Sequence, residues 1–410
     1  VRTSIRPWLR GVFFLALLLP SVGAAQPQWR ADRPGAELAV ALLTVAPGEI
    51  YWQRFGHNAI LIEDRVRGTA TLYNYGLFDF SERDFFLNFI RGRMRYAMGV
   101  GPPSADLAGY RAEGREVRLQ WLAMSPPQRR ALRDFLDWNL RPENLRYAYD
   151  YFETNCSTKV RDALDAALSG AIHRATASRS RGDTYRSHAL RLTAPDLPLY
   201  LGIHAGLGPY ADRRLSFWQE MFVPMELARH LAEVRIIDDA GNTHPLVERE
   251  EVLLPAIVSL PPAAAPNWFW RFLAAGIFLA GLIVWLAPRG PRALAALLGT
   301  LWLLAGLGGL VLLGLWFGTE HRSAWANHNL LLFNPLALAL LPAAFALLRA
   351  RPVGPLLRQL AVGMALIALA AWFVLVLPWF DQDAMDWIGF WAPIHLAAAA
   401  ALRTPALRSR

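Results

Sequence analysis

From residue 266 onward the chain holds five long apolar stretches, 268–287, 293–317, 330–348, 359–378 and 387–402. A helix needs about 20 apolar residues to cross the hydrocarbon core of a bilayer, because each residue rises only ~1.5 Å. The first four stretches reach that length and the last, 387–402, is marginal. In lipid every backbone N–H and C=O must be bonded within the segment, so these stretches are expected to be helices. An all-α membrane domain of five transmembrane helices over 268–402, with a short cytoplasmic tail at 403–410, follows.

The arginines orient these helices. Arg289 and Arg292 follow the first stretch, Arg349, Arg351 and Arg358 follow the third, and Arg403, Arg408 and Arg410 end the chain. Positive charge is retained on the cytoplasmic side, so everything before residue 266 is expected outside. The opening segment agrees: Arg2, Arg6 and Arg10 precede a short apolar run that ends in Gly23 and Ala25, the pattern of a signal peptide over 1–25 cleaved after Ala25. The outer loops are then "FGTEHRSAWANHN" and "PWFDQDAMDW". A formal charge of +9 could suggest nucleic acid, but no lysine-rich arm is present and many arginines flank apolar spans. Membrane, not nucleic acid, is the expected partner.

The exported part, 26–260, reads as a mixed α/β domain. Strand-like runs are "ELAVALLTV", "NAILIED", "GTATLYNYG" and "REVRLQWL", and "SERDFFLNFIRG" and "SPPQRRALRDFLDWNL" read as helices, the second capped by Ser125 with Pro126 following. A hairpin is expected in "VRIIDDAGNTHPLVE", with its turn at Ala240 to Asn242. The proline-rich segment 261–267 is a stiff linker into the membrane.

One cysteine in 410 residues excludes an intramolecular disulfide and a cysteine-rich zinc site, and no HExxH spacing occurs, so neither metal nor cofactor is expected. That cysteine, Cys156, precedes Val160, Ala163, Leu164, Ala167 and Leu168, the spacing of one buried helical face, with Gly170 as the stop. Cys156 thus falls in the first helical turn, capped by Asn155 or Thr154. Free backbone amides and the positive end of the helix dipole favour a thiolate there, and the same amides can serve an oxyanion. A small buried hydrophobe is the alternative use of a lone thiol.

A nucleophilic thiol needs a base. His57, in "YWQRFGHNAILIED", lies at the mouth of a strand, where its ring can face a helix N-terminus. The next strand returns antiparallel after "EDRVRG", which brings a residue near 75 opposite His57 within a register error of one or two. Asn74 is therefore the candidate for holding the imidazole tautomer.

The segments "FGHNAILIED", "LYNYGLFDF", "GRMRYAMG" and "YDYFETNCSTKVRDALD" resemble the exported domain of the Lnb-type lipoprotein N-acyltransferase family of bacteria, and "GTEHRSAWANHNLLLFNP" resembles its membrane part. The order His, Asn, then an Asn-Cys pair opening a helix is also similar to circularly permuted papain-like enzymes. Lecithin:retinol acyltransferase-like proteins carry "NCEHF" where this chain has "NCSTK", which argues against that family proper. The resemblance implies an α+β chain: a circularly permuted papain-like periplasmic domain, then the membrane domain, in the bacterial cytoplasmic membrane. It implies Cys156 as nucleophile, His57 as base and Asn74 as orienting residue. The implied reaction moves an acyl chain from a phospholipid donor, through a Cys156 thioester, to the N-terminal amine of a diacylglyceryl lipoprotein acceptor. Asn155, Arg161, His321 and His328 are the polar groups expected to meet substrate. A membrane-anchored cell-wall peptidase or amidase using the same thiol, and a non-enzymatic scaffold, are the competing readings.

Overall fold

The computed structural model describes residues 33–238, 240–374, 377 and 380–403. The expected signal segment and nearly all of the tail lie outside them. Among the described residues, nine strands occur in chain order: β1 Leu38–Val45, β2 His57–Asp64, β3 Thr69–Leu77, β4 Arg95–Gly101, β5 Val117–Leu122, β6 Arg146–Ala148, β7 Arg235–Ile237, β8 Thr243–Pro245 and β9 Val247–Leu254. Seven form one antiparallel sheet in the order β6-β4-β3-β2-β1-β5-β9, and β7 and β8 pair separately as a hairpin.

β1 is apolar at almost every position because it is central and covered on both faces. Leu38, Val40 and Leu42 enter the larger core with Leu132 and Leu136 of the helix Pro126–Asn139, Val160 and Leu164 of Cys156–Ala167, and Leu227 and Leu231 of Pro224–Glu233. Ala39, Ala41, Leu43 and Val45 face a smaller core with Leu119 and Trp121, flanked by Leu107 and Tyr110 of the helix Pro103–Ala112. Each buried leucine or valine stabilises the fold by roughly 1.5–3 kcal/mol, so this double-faced strand fixes the register of the site-bearing β2 beside it. At the far edge, β9 carries Glu248, Arg249, Glu250 and Glu251, charges that discourage further strand addition.

Four strands lie where the sequence pattern places them. β4 was not legible as a strand, because "RYAMGVG" holds two glycines and neither alternates nor forms an apolar run. The helix expected over 81–92 is confined to Phe85–Arg91, after Asp84 in a left-handed conformation. Ser125 caps Pro126–Asn139 as expected, within a capping box completed by Gln128.

Among the described residues, five segments are long and apolar enough to span a membrane: Phe269–Leu286, Pro291–Gly318, Arg322–Leu348, Pro355–Phe373 and Met385–Arg403. The third is not one uninterrupted α-helix. It passes through 3₁₀ turns at Arg322–Ala324, His328–Leu331 and Pro335–Leu340 before the α-helix Leu341–Leu348. Pro335 and Pro342 lack the N–H an α-helical ladder needs, and Asn327 and Asn334 cap the turns with their side chains. The last span, marginal by composition, is the most buried of the five; its alanines and glycine pack inside the bundle, where lipid contact is not required.

The sheet domain and the membrane segments are joined by polar contacts. Asn327 Nδ2 donates to the carbonyls of Ala205 and Gly206 at 2.8 and 2.9 Å, and Gly208 N donates to Ser323 O at 2.7 Å. The Arg93 Nε to Glu320 Oε1 ion pair closes at 2.7 Å on the other side.

Candidate active site

Cys156 begins its helix, and the cap is Asn155. The Asn155 side chain accepts from Thr158 N at 2.9 Å while Thr158 Oγ1 accepts from Asn155 N at 2.8 Å. Asn155 Nδ2 donates to the carbonyls of Tyr151 and Phe222, both at 2.9 Å. Every polar atom of this side chain is thereby used to hold the helix start, so its part is to position Cys156 although it also forms part of the cavity wall. Behind the thiol, Ser157 Oγ lies 2.8 Å from Asn58 Oδ1 and 2.6 Å from Met221 O, and Asn58 Nδ2 donates to Thr44 Oγ1 at 2.9 Å. These buried bonds tie the helix N-terminus to β1 and β2.

His57 opens β2 and Asn74 lies on β3, where Ala59 pairs with Asn74. Continuing that register puts Gly76 opposite His57 and Asn74 diagonal to it on the same face. His57 Nε2 is 2.9 Å from Asn74 Oδ1, and Asn74 Nδ2 donates to Asp106 Oδ2 at 2.8 Å. Because Asp106 takes the amide N–H, Asn74 presents its oxygen to the ring, so Nε2 carries the proton and Nδ1 is left for Cys156. Asp106 thus extends the array as a support for Asn74. Sequence reasoning missed it: a carboxylate in the first turn of a proline-started helix looks like an ordinary dipole partner, and its reach to Asn74 depends on tertiary placement.

The sheet makes room for the thiol at Gly76. This residue has φ +90°, and a Cβ there would lie 3.3 Å from Cys156 Cβ. The β3–β4 register shifts between Tyr75 and Leu77, a bulge that bends the strand end beside the site.

The electrostatics follow from this geometry. Burial pushes the Cys156 thiol up, but the His57 charge and hydrogen bond, with the backbone N–H groups of Asn58 and Ser157, outweigh it and leave the thiol below its ordinary range. Burial lowers His57, and the Cys156 charge and hydrogen bond together with Asn74 raise it above the usual 6.5. The pair therefore favours thiolate and imidazolium, the reactive form for nucleophilic attack.

Cys156, His57, Asn74 and Asp106 face a cavity of about 700 Å³, within the size range of small-ligand sites. Its wall is rich in aromatic rings: Phe78, Phe80, Phe85, Phe86, Phe89, Tyr96, Tyr149 and Tyr151 contribute, with Tyr96 and Tyr149 ring centroids 4.1 Å apart and Phe80 and Phe85 5.1 Å apart. Leu315, His321, Ser323 and Ala324 of the membrane part also line it, so both parts of the chain enclose one space.

The other expected substrate contacts divide. His321 lines the cavity, its Nε2 donating to Phe89 O at 3.0 Å and its ring stacked on Tyr151. Arg161 does not line it. It is buried, lies 3.9 Å from the Trp218 ring centroid, donates to Trp218 O at 2.8 Å and pairs with Asp162, pinning the helix on its far side. His328 is likewise outside the wall, packed on Phe380 with its backbone N–H donating to Gln382 Oε1 at 2.7 Å. Arg115, which the sequence did not single out, does reach the wall while donating to Ala46 O at 2.8 Å.

Elsewhere, Asp183, His188 and Glu220, and again Glu220, Glu226 and His230, have metal-like spacing. Arg181 and Arg229 already bond Glu220 Oε2 at 2.9 and 3.3 Å, and Arg191 pairs with Glu226 at 3.3 Å. The carboxylates are neutralised by arginine, so this cluster is an ion-pair network.

The family model for the Lnb N-terminal periplasmic domain matches residues 25–191, and that for the Lnb transmembrane domain matches 259–379. The chain belongs to the Lnb family. Together the two matches cover well over half of its length, and the first contains His57, Asn74, Asp106 and Cys156. This Lnb chain is thus a multi-pass membrane protein whose thiol array sits in a periplasmic domain. No curated protein and no solved structure matches it.

Proposed function

We propose that this Lnb protein is a thiol-dependent lipoprotein N-acyltransferase. The observation that carries the reading is the single aromatic cavity that joins the Cys156–His57–Asn74 array to residues of the membrane part. A peptidase needs a cleft open to hydrophilic polymer, whereas an apolar wall continuous with transmembrane helices suits a donor that stays in the bilayer.

In the first half-reaction the Cys156 thiolate attacks an ester carbonyl of a phospholipid. The oxyanion forms beside the free amides of the helix start, and as the C–O bond breaks the lysophospholipid alkoxide takes the proton of the His57 imidazolium. In the second, the neutral amine of a diacylglyceryl-cysteine attacks the thioester. His57 accepts the amine proton, an amide forms, and the thiolate leaves to restore the ion pair. Asn74, held by Asp106, keeps the ring oriented through both steps.

Mass spectrometry of lipoprotein N-terminal peptides from cells that rely on this protein alone tests the reading. The expected result is an N-linked acyl chain on the terminal cysteine; a free terminal amine in such cells would overturn it.

A further inference from the structure

The helix Phe85–Arg91 has no buried residue, although five of its seven side chains are apolar. Phe86 is 65 % exposed and Ile90 62 % exposed, values no water-soluble surface needs. Phe85, Phe86 and Phe89 nevertheless form part of the wall around Cys156, so one short helix borders both the site and the outside.

Its position is fixed against the outer end of the span Pro291–Gly318. Glu320 N donates to Arg91 O at 2.8 Å, His321 Nε2 donates to Phe89 O at 3.0 Å, and Arg93 pairs with Glu320. Gly92, at φ +74°, allows the contact: a Cβ there would lie 2.9 Å from Glu320 C and His321 N. A helix tied to the periplasmic end of a transmembrane segment, with aromatic and aliphatic side chains outward and arginines at its flanks, lies at the depth of the lipid headgroups.

We propose that Phe85–Arg91 is embedded in the outer leaflet of the bilayer and forms the side of the cavity through which an acyl chain passes from the bilayer to Cys156. The occupant of its outer face is lipid. Passage of the chain rests on the acyl-transfer reading above; embedding does not.

The chain's one cysteine makes the test clean. In full-length protein carrying Cys156→Ser, Ile90→Cys gives a single thiol for a nitroxide label in nanodiscs of phosphatidylethanolamine and phosphatidylglycerol. Val66→Cys, 63 % exposed beyond the end of β2, is the control. The label at residue 90 is expected to collide more with oxygen, which partitions into lipid, than with a water-soluble nickel chelate, and the label at 66 to show the reverse. Equal behaviour at the two sites overturns the proposal. With Cys156 intact, Ile90→Asp is expected to slow acylation of Cys156 by bilayer phospholipid by about tenfold or more, the effect of losing one apolar side chain's contact with lipid. Alkylation by iodoacetamide, which arrives through water, should be unchanged. Equal slowing of both reactions, or of neither, overturns the passage. An embedded label combined with no acylation of wild-type Cys156 would instead overturn the acyl-donor reading, and the passage with it, while leaving the embedding in place.

Discussion

Cys156→Ala is expected to abolish acyl transfer, and His57→Ala to lower it by about 10²–10⁴-fold, the usual worth of a positioned general acid–base group. Both variants should accumulate normally, because the core that holds their elements is built by Leu42, Ile60, Val160 and Leu164, with Cys156 packed only at its margin. Transfer from phosphatidylethanolamine to an acceptor lipopeptide in proteoliposomes measures both. The pH profile of thioester formation adds a reading that misfolding cannot imitate. The rate should rise as the thiol ionises, below the ordinary thiol range of about 8.5, and fall as His57 loses its proton, above 6.5. Asn74 donates no proton to the reaction; its oxygen stabilises the imidazolium and so raises the falling limb. Asn74→Ala should therefore move that limb to lower pH, and His57→Ala should move the thiol's own titration, read by iodoacetamide, to higher pH. An unshifted limb in Asn74→Ala would reduce this residue to packing.

The largest stability effect is expected at Arg186. This side chain is 2 % exposed and forms a two-point pair with Asp212 at 2.7 and 2.9 Å, while also donating to the carbonyls of His204 and Leu207, each at 2.8 Å. Those carbonyls belong to the segment whose neighbours Ala205, Gly206 and Gly208 bond Asn327 and Ser323, so Arg186 secures the seat of the sheet domain on the membrane part. Arg186→Met leaves a buried carboxylate without its counter-charge, which costs about 3–5 kcal/mol. Thermal unfolding of the full chain in nanodiscs should show it. Burial already holds the Asp212 carboxyl above its usual range despite the arginine. Without Arg186 it rises further, and a group with a raised folded pKa stabilises below the unfolded value and loses that stability as pH increases. The deficit of Arg186→Met should thus shrink as pH falls from 8 to 5, and Arg186→Met combined with Asp212→Leu should recover part of it.

The sequence made the membrane part legible because run length and flanking arginine are local signals. The Cys156 helix was legible for the same reason: Asn155 caps it and Val160, Ala163 and Leu164 repeat on one face. Asn74 was found through strand register, and the pairing of Ala59 with Asn74 shows how few residues of error that inference could bear. What was hidden depends on distant parts of the chain. Asp106 supports Asn74 only because the helix Pro103–Ala112 packs near β3. Arg161 looked available for a headgroup, since its spacing does not reveal that Trp218, far along the chain, covers it. The segment that holds Phe85, Phe86 and Phe89 read as a helix, yet whether these rings face the core, the cavity or lipid is set by Glu320 and His321, more than 200 residues away.

Trapping the acyl-enzyme tests the central claim most directly. Full-length protein in liposomes of defined phospholipid, quenched in acid without any acceptor and digested, should yield a peptide containing Cys156 heavier by one acyl chain, labile to hydroxylamine and lost in Cys156→Ser. Adding an amine acceptor before the quench should empty the cysteine and place the same chain on the amine. Acylation of the acceptor while Cys156 stays unmodified, or an acyl chain carried by another residue, would contradict a thioester relay at this site.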